Sequence, residues 1–197
     1  MRGRPRSFDC EAALDRALDV FWRKGYEGAS LAELTAAMGI NPPSLYAAFG
    51  NKEGLFRKAI ERYVEVRTPF WLEALEAPTA RDVVERLLRG SVDNLTSDCP
   101  GCLLVKGAMT CGEGTDALHE ELAAVRALAE STLRERFERA VKEWDLAAHT
   151  DPAGLARYVI ALNQGMAIQA EGGASADDLH KIVDMALAGL TATLSKQ

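Results

Sequence analysis

Cys99-Pro-Gly-Cys102 holds the two residues of this chain best spaced for chemistry. Gly101 lets the backbone fold back, so the two sulfurs can meet in a disulfide after modest rearrangement. A helix beginning at Leu103 would set Cys102 at its positive end with Lys106 nearby, and both favour the nucleophilic thiolate. Cys99 and Cys102 are therefore candidates for an oxidant- or electrophile-sensing pair; the alternative is small cysteines packed where a loop enters a helix. With Cys111 and His119 they could also offer four zinc ligands, but intervening spacings of eight and seven residues match no familiar zinc module. No metal site is assigned. His119, His149 and His180 stand apart, and no nucleophile elbow, phosphate loop or metalloprotease motif accompanies them. The chain reads as a non-enzyme without a cofactor.

The best-signalled structural elements lie elsewhere, in Ser30 to Phe49. Ser30 and Glu33 have the spacing of a capping box, in which each side chain satisfies the other's free backbone N–H. Leu31, Leu34 and Met38 give the helix that follows one apolar face, and Gly39 suits the left-handed residue that ends it. Asn41 can cap a second helix with Pro42 in its first turn, running through Ser44, Leu45, Tyr46 and Phe49. Two short helices joined by a tight turn make either a helical hairpin or a helix-turn-helix, whose second helix can enter the major groove of DNA.

The run from Leu45 and Tyr46 through Phe49 to Lys52, Glu53 and Leu55 resembles the DNA-binding domain of the TetR family of bacterial transcriptional regulators, from about Arg6 to Val66. The resemblance implies an all-α homodimer, with a DNA-binding domain at residues 6–66 and a C-terminal effector-binding and dimerisation domain at 67–197. It also implies a palindromic double-stranded operator and a small-molecule effector that releases it. Carried onto these residues, it puts DNA contacts at Pro42, Pro43, Ser44, Leu45 and Tyr46, with Ser30 and Lys52 touching phosphates at helix N-termini. The pair Pro42-Pro43 departs from the family's usual small and polar residues. Neither proline has an N–H, so apolar contact, such as to a thymine methyl, is what remains to them.

Charge and composition fit that expectation. The net charge of −6 divides into +2 over residues 1–67, from 11 basic and 9 acidic side chains, and −8 over the remainder. Arg2, Arg4 and Arg6 precede any acid and form either a basic arm reaching phosphate or minor groove, Arg4 included, or a solvated tail. With 48% hydrophobic and 26% charged residues the chain is of ordinary globular composition. No apolar run is long enough for a membrane span or a signal-peptide core, which predicts a cytoplasmic protein with reduced thiols.

Periodicity supplies the remaining helices. Asp9 caps a helix ending at Gly25, and a helix from about Asn51 should kink or stop before Pro69. Further helices are expected over 79–97 and 103–109, then a long one from Leu118 that includes Trp144, and finally 152–171 and a helix capped near Ser175. The helix over 152–171 is apolar around much of its circumference, and together with the last helix it predicts a dimer interface. Phe70, Trp71, Leu104, Met109, Tyr158 and Met166 are aromatic or flexible apolar residues that either line a pocket for an apolar effector or fill a dry core. The competing functional reading is a helical redox-sensing or zinc-binding protein built on Cys99 and Cys102.

Overall fold

The computed structural model describes residues 8–97, 101–110 and 116–194, and the side chains of 108–110 and 191–194 are excluded from that description. Arg4, Cys99 and Cys111 lie outside the described residues, as does the side chain of Met109. Among the described residues the chain is all-α: α1 Cys10–Gly28, α2 Leu31–Met38, α3 Pro42–Phe49, α4 Lys52–Leu75, α5 Ala80–Leu95, α6 Leu103–Thr110, α7 Asp116–Lys142, α8 Pro152–Glu171 and α9 Ala176–Leu194. None of these helices is long and apolar enough to cross a membrane.

The first four helices pack as the local signals require. Asp9 accepts the amides of Glu11 and Ala12 to start α1, which is interrupted near its end by the left-handed Gly25. The capping box forms, with Glu33 N–H donating to Ser30 Oγ at 3.2 Å and Ser30 N–H to Glu33 Oε2 at 3.2 Å. Gly39, at φ 68°, then lets the Gly39 and Ile40 amides turn back onto the carbonyls of Ala36 and Thr35. Ala17, Phe21, Leu34, Leu45, Leu55 and Phe56 are all fully buried between these helices. Phe21 and Phe56 meet edge-to-face with centroids 4.8 Å apart, a geometry that adds about 0.5–1.5 kcal/mol to simple burial.

This core does not stop at the expected domain limit. Leu103 of α6 and Leu118 and Leu122 of α7 belong to the same apolar cluster as Phe21 and Phe56. Gly107 of α6 makes the close approach possible, since a Cβ there would sit 2.9 Å from Leu122 and 3.6 Å from the tip of Phe56. Residues 66 and 67 fall inside α4, so the chain passes between the two halves in continuous helix.

Pro69 does not end that helix. The amide it lacks would have bonded the Glu65 carbonyl, and Glu65, Val66 and Pro69 are all exposed, so the broken bond faces solvent. Beyond it, Ala74 and Leu75 are buried in a second core with α5, α7, α8 and α9, which holds the last turns in place. Buried Arg136 ties down the α4 end, with Nε donating to the Leu75 carbonyl and Nη2 to that of Ala77, each at 2.9 Å. Trp144 also departs from expectation. It lies beyond α7 with φ 63° and is exposed, because Asp145 turns inward to accept the Ala80 amide at the start of α5 and Leu146 plugs the core.

Candidate nucleic-acid interface and inner cavity

The second helix of the helix-turn-helix presents a short solvent-facing surface. Pro42 and Pro43 occupy its first two positions, and the Ser44 N–H is held by Asn41 Oδ1 at 2.9 Å. Pro42, Pro43 and Tyr46 are exposed, Tyr46 by 48%, and Ser44 is half-buried. Leu45 is not available to a base edge: it is fully buried and belongs to the core, because its position on α3 faces α2 and α4. The sequence misassigned it because one turn of helix puts a contact and a core residue side by side.

The two expected phosphate contacts are both already engaged. Ser30 Oγ donates to Glu33 Oε2 at 2.9 Å and also accepts the Glu33 amide. Lys24 bonds the same carboxylate, and these partners, Lys24 first and Ser30 next, hold Glu33 down to a pKa of about 2. Lys52 opens α4 one residue after its cap Asn51, and its ammonium lies 4.5 Å from the centre of the Tyr26 ring. That contact holds the cation against the end of α1.

A cavity of about 350 Å³ lies between α4, α5, α6, α7 and α8. Phe70, Trp71 and Leu104 line it, as expected. Tyr158 and Met166 do not. Tyr158 points outward from α8 and is exposed, while Met166 is buried in the C-terminal core. Helical spacing selected the right helix but not its rotation. The polar lining, which apolar spacing cannot reveal, includes Tyr63, Arg67, Cys102, Arg126 and Asn163. Tyr63 O–H donates to Cys102 Sγ at 3.3 Å, and burial, then the neighbouring thiol, push the phenol well above its usual range. Asn163 Oδ1 is buried and has no hydrogen-bond donor.

Cys102 immediately precedes α6, at the position expected from the sequence. Lys106, however, bonds Glu171 at 3.2 Å and the Arg23 carbonyl at 3.4 Å. Among the described residues no three His, Cys, Asp or Glu side chains are grouped to hold a metal ion.

On α8 and α9 an apolar face is left uncovered. Tyr158, Ala161, Gly165 and Ile168 form one exposed stripe, and Met185, 78% exposed, lies with Ala188 and Gly189 on the other. Leu187, like Met166, points the opposite way into the core.

Comparison with known proteins places this architecture. Residues 13–59 match the model of the bacterial regulatory proteins of the tetR family, and residues 71–186 that of the tetracyclin repressor-like C-terminal domain. The chain is 35% identical over 191 residues to the HTH-type transcriptional repressor ComR of Escherichia coli (strain K12), covering 94% of this chain and 90% of that one. It is 39% identical over 108 residues to the repressor BdcR of the same strain, covering 53% and 55%. A cysteine mutant of the TetR family transcriptional regulator CifR, solved with 26-base-pair operator DNA, superposes with a TM-score of 0.90 at 45% identity, covering 94% of this chain and 98% of that one. With matched family models over both halves and a helix-turn-helix of this geometry, the chain belongs to the TetR family of DNA-binding transcriptional regulators.

Proposed function

We propose that the chain acts as a repressor: a dimer joined through α8 and α9 sets two copies of α3 into successive major grooves of a palindromic operator, and a small molecule in the cavity releases it. The observation that carries this reading is α4, a single helix that follows the recognition helix at Lys52 and lines the cavity with Tyr63, Arg67, Phe70 and Trp71. A ligand that reorients α4 moves α3 with it. Names of relatives agree, since ComR and BdcR are repressors and CifR was solved on operator DNA. Pro42, Pro43, Ser44 and Tyr46 are the proposed base and backbone contacts, with Lys52 on phosphate. Leu45 supports them from behind.

Release by a ligand requires a preference for the DNA-incompetent state of about 5.5 kcal/mol to shift nearly all molecules. Footprinting of DNA beside the gene, at low salt and without ligand, should show a protected palindrome that weakens steeply as salt rises. Absence of protection there would remove the reading.

A second reading, that the effector reacts with a thiol, is favoured by one observation: Cys102 lines the cavity with its sulfur against the Tyr63 hydroxyl. An alkylating agent would form a carbon–sulfur bond at Cys102 as its leaving group departs and the thiol proton passes to solvent. Alternatively, Cys99 and Cys102 would give two electrons and two protons to a peroxide, which leaves as water. Operator affinity should then fall on such treatment and persist in Cys102→Ser. Equal loss in both proteins would dismiss it.

A further inference from the structure

We infer that the cavity selects an apolar ligand bearing one anionic group, with Arg67 as the principal anchor of that group. This rests on the cavity being the effector site proposed above. The lining is mostly hydrocarbon and aromatic, yet it contains two arginines and, among the described residues, no aspartate or glutamate. Several arginines elsewhere have found partners. Arg57, Arg62, Arg89 and Arg157 each pair with carboxylates, and buried Arg136 is spent on backbone carbonyls.

Arg67 differs from these. Its guanidinium lies over the rings of Trp22 and Tyr63, at 5.0 and 5.5 Å from their centres, and no carboxylate of the described residues lies within ion-pair distance. Neither ring takes a hydrogen bond from it in the structure, so the guanidinium N–H groups remain for an acceptor, the fork that matches a carboxylate. The two rings also fix its position before any ligand arrives, so less side-chain entropy is lost on binding. Arg126 adds charge of the same sign. It donates once to the Leu104 carbonyl at 3.2 Å and is likewise without a described carboxylate partner.

Two half-buried cations beside an apolar wall are costly to desolvate without a counter-charge, and a closed cavity would heighten that cost. A monoanion offsets it while its hydrocarbon body fills the space against Phe70 and Trp71. The volume, about 350 Å³, is at the small end for such sites and fits a compact molecule. One group in the lining argues differently: the lone Asn163 Oδ1 asks for a donor, which an alcohol or amine would supply. The contest between these two demands can be measured directly.

The test uses the full chain and matched probes that differ only in their head group: 4-phenylbutyrate and decanoate, the corresponding alcohols and the corresponding amines. Binding is followed by tryptophan fluorescence, since Trp71 lines the cavity, and by thermal shift; operator binding is measured on the same samples. At least one carboxylate should bind tenfold or more tightly than its alcohol, with the amine weakest. Arg67→Gln should abolish that preference while leaving alcohol binding within about twofold, and Arg67→Lys should restore part of it. Arg126→Gln should reduce it less. Alcohols or amines binding as well as the carboxylates, or no carboxylate binding at millimolar concentration, would overturn the proposal. Intact operator binding in that event would show that the anion assignment had failed and the regulator reading had not.

Discussion

Replacing Phe56 by alanine tests whether the two halves of the molecule share one core. Phe56 is fully buried, meets Phe21 at 4.8 Å and Tyr26 at 5.1 Å between ring centres, and reaches toward Gly107 on α6. Truncating a buried phenylalanine costs about 3–5 kcal/mol, more where neighbours cannot collapse into the space. Here the wall on the α6 side is a glycine with no side chain to move, so the upper half of that range applies, about 4 kcal/mol. At roughly 2–4 °C per kcal/mol for a chain of this size, the midpoint should fall by about 8–16 °C. The assay is thermal unfolding by circular dichroism at one fixed protein concentration, because an oligomer's midpoint depends on it. A single transition should persist, shifted as a whole, since Leu103, Leu118 and Leu122 belong to the same apolar cluster as Phe56. A loss below about 1 kcal/mol, or a split in which the C-terminal half melts unchanged, would refute the shared-core argument.

Three further outcomes follow from other contacts. Arg136→Met should destabilise by about 3 kcal/mol or more in urea unfolding, since two charge-assisted hydrogen bonds to the Leu75 and Ala77 carbonyls are lost in a buried setting. Glu33 has a folded pKa of about 2 against an ordinary 4.5, so its contribution is full above about 4.5 and disappears as pH falls toward 2; the stabilities of the native chain and Glu33→Gln, measured across that window, should converge at its acid end. Ile168→Glu and Met185→Glu, both at exposed positions, should retain native circular dichroism yet sediment as monomers with weakened operator binding; unchanged dimers would discard the α8–α9 interface.

The parts of the fold that could be read in advance were those fixed by near neighbours. Ser30, Gly39, Asn41 and Pro152 act on backbone groups within four residues, and the helices they bound begin or end where their chemistry requires. Pro69 and Trp144 were misread for the opposite reason. Solvent on one side of α4 tolerates the missing hydrogen bond, and a remote amide, that of Ala80, decides where Asp145 turns. The site divides in the same way. Phe70, Trp71 and Leu104 fell on the cavity, whereas Leu45, Tyr158 and Met166 depended on how their helices are rotated against partners distant in sequence. Arg67 carried no signal at all, since a lone arginine on a helix looks like surface until its carboxylate partners are seen to be missing.

The tip of α3 has one more consequence. Pro42 and Pro43 have no N–H, and the Ser44 N–H is taken by Asn41, so the first turn that would normally hold an anion offers it no amide. On the proposed docking, what this tip brings to the groove is chiefly the hydrocarbon of two pyrrolidine rings beside the Tyr46 side chain. The partner such a surface recognises in the major groove is the pyrimidine C5 methyl. That group is present on thymine, absent from uracil and acquired by cytosine on C5 methylation. Operator affinity would therefore respond to the covalent marking of the DNA as well as to its base sequence: uracil in place of a contacted thymine would weaken the complex, and a methylated cytosine at the same place would recover part of what was lost.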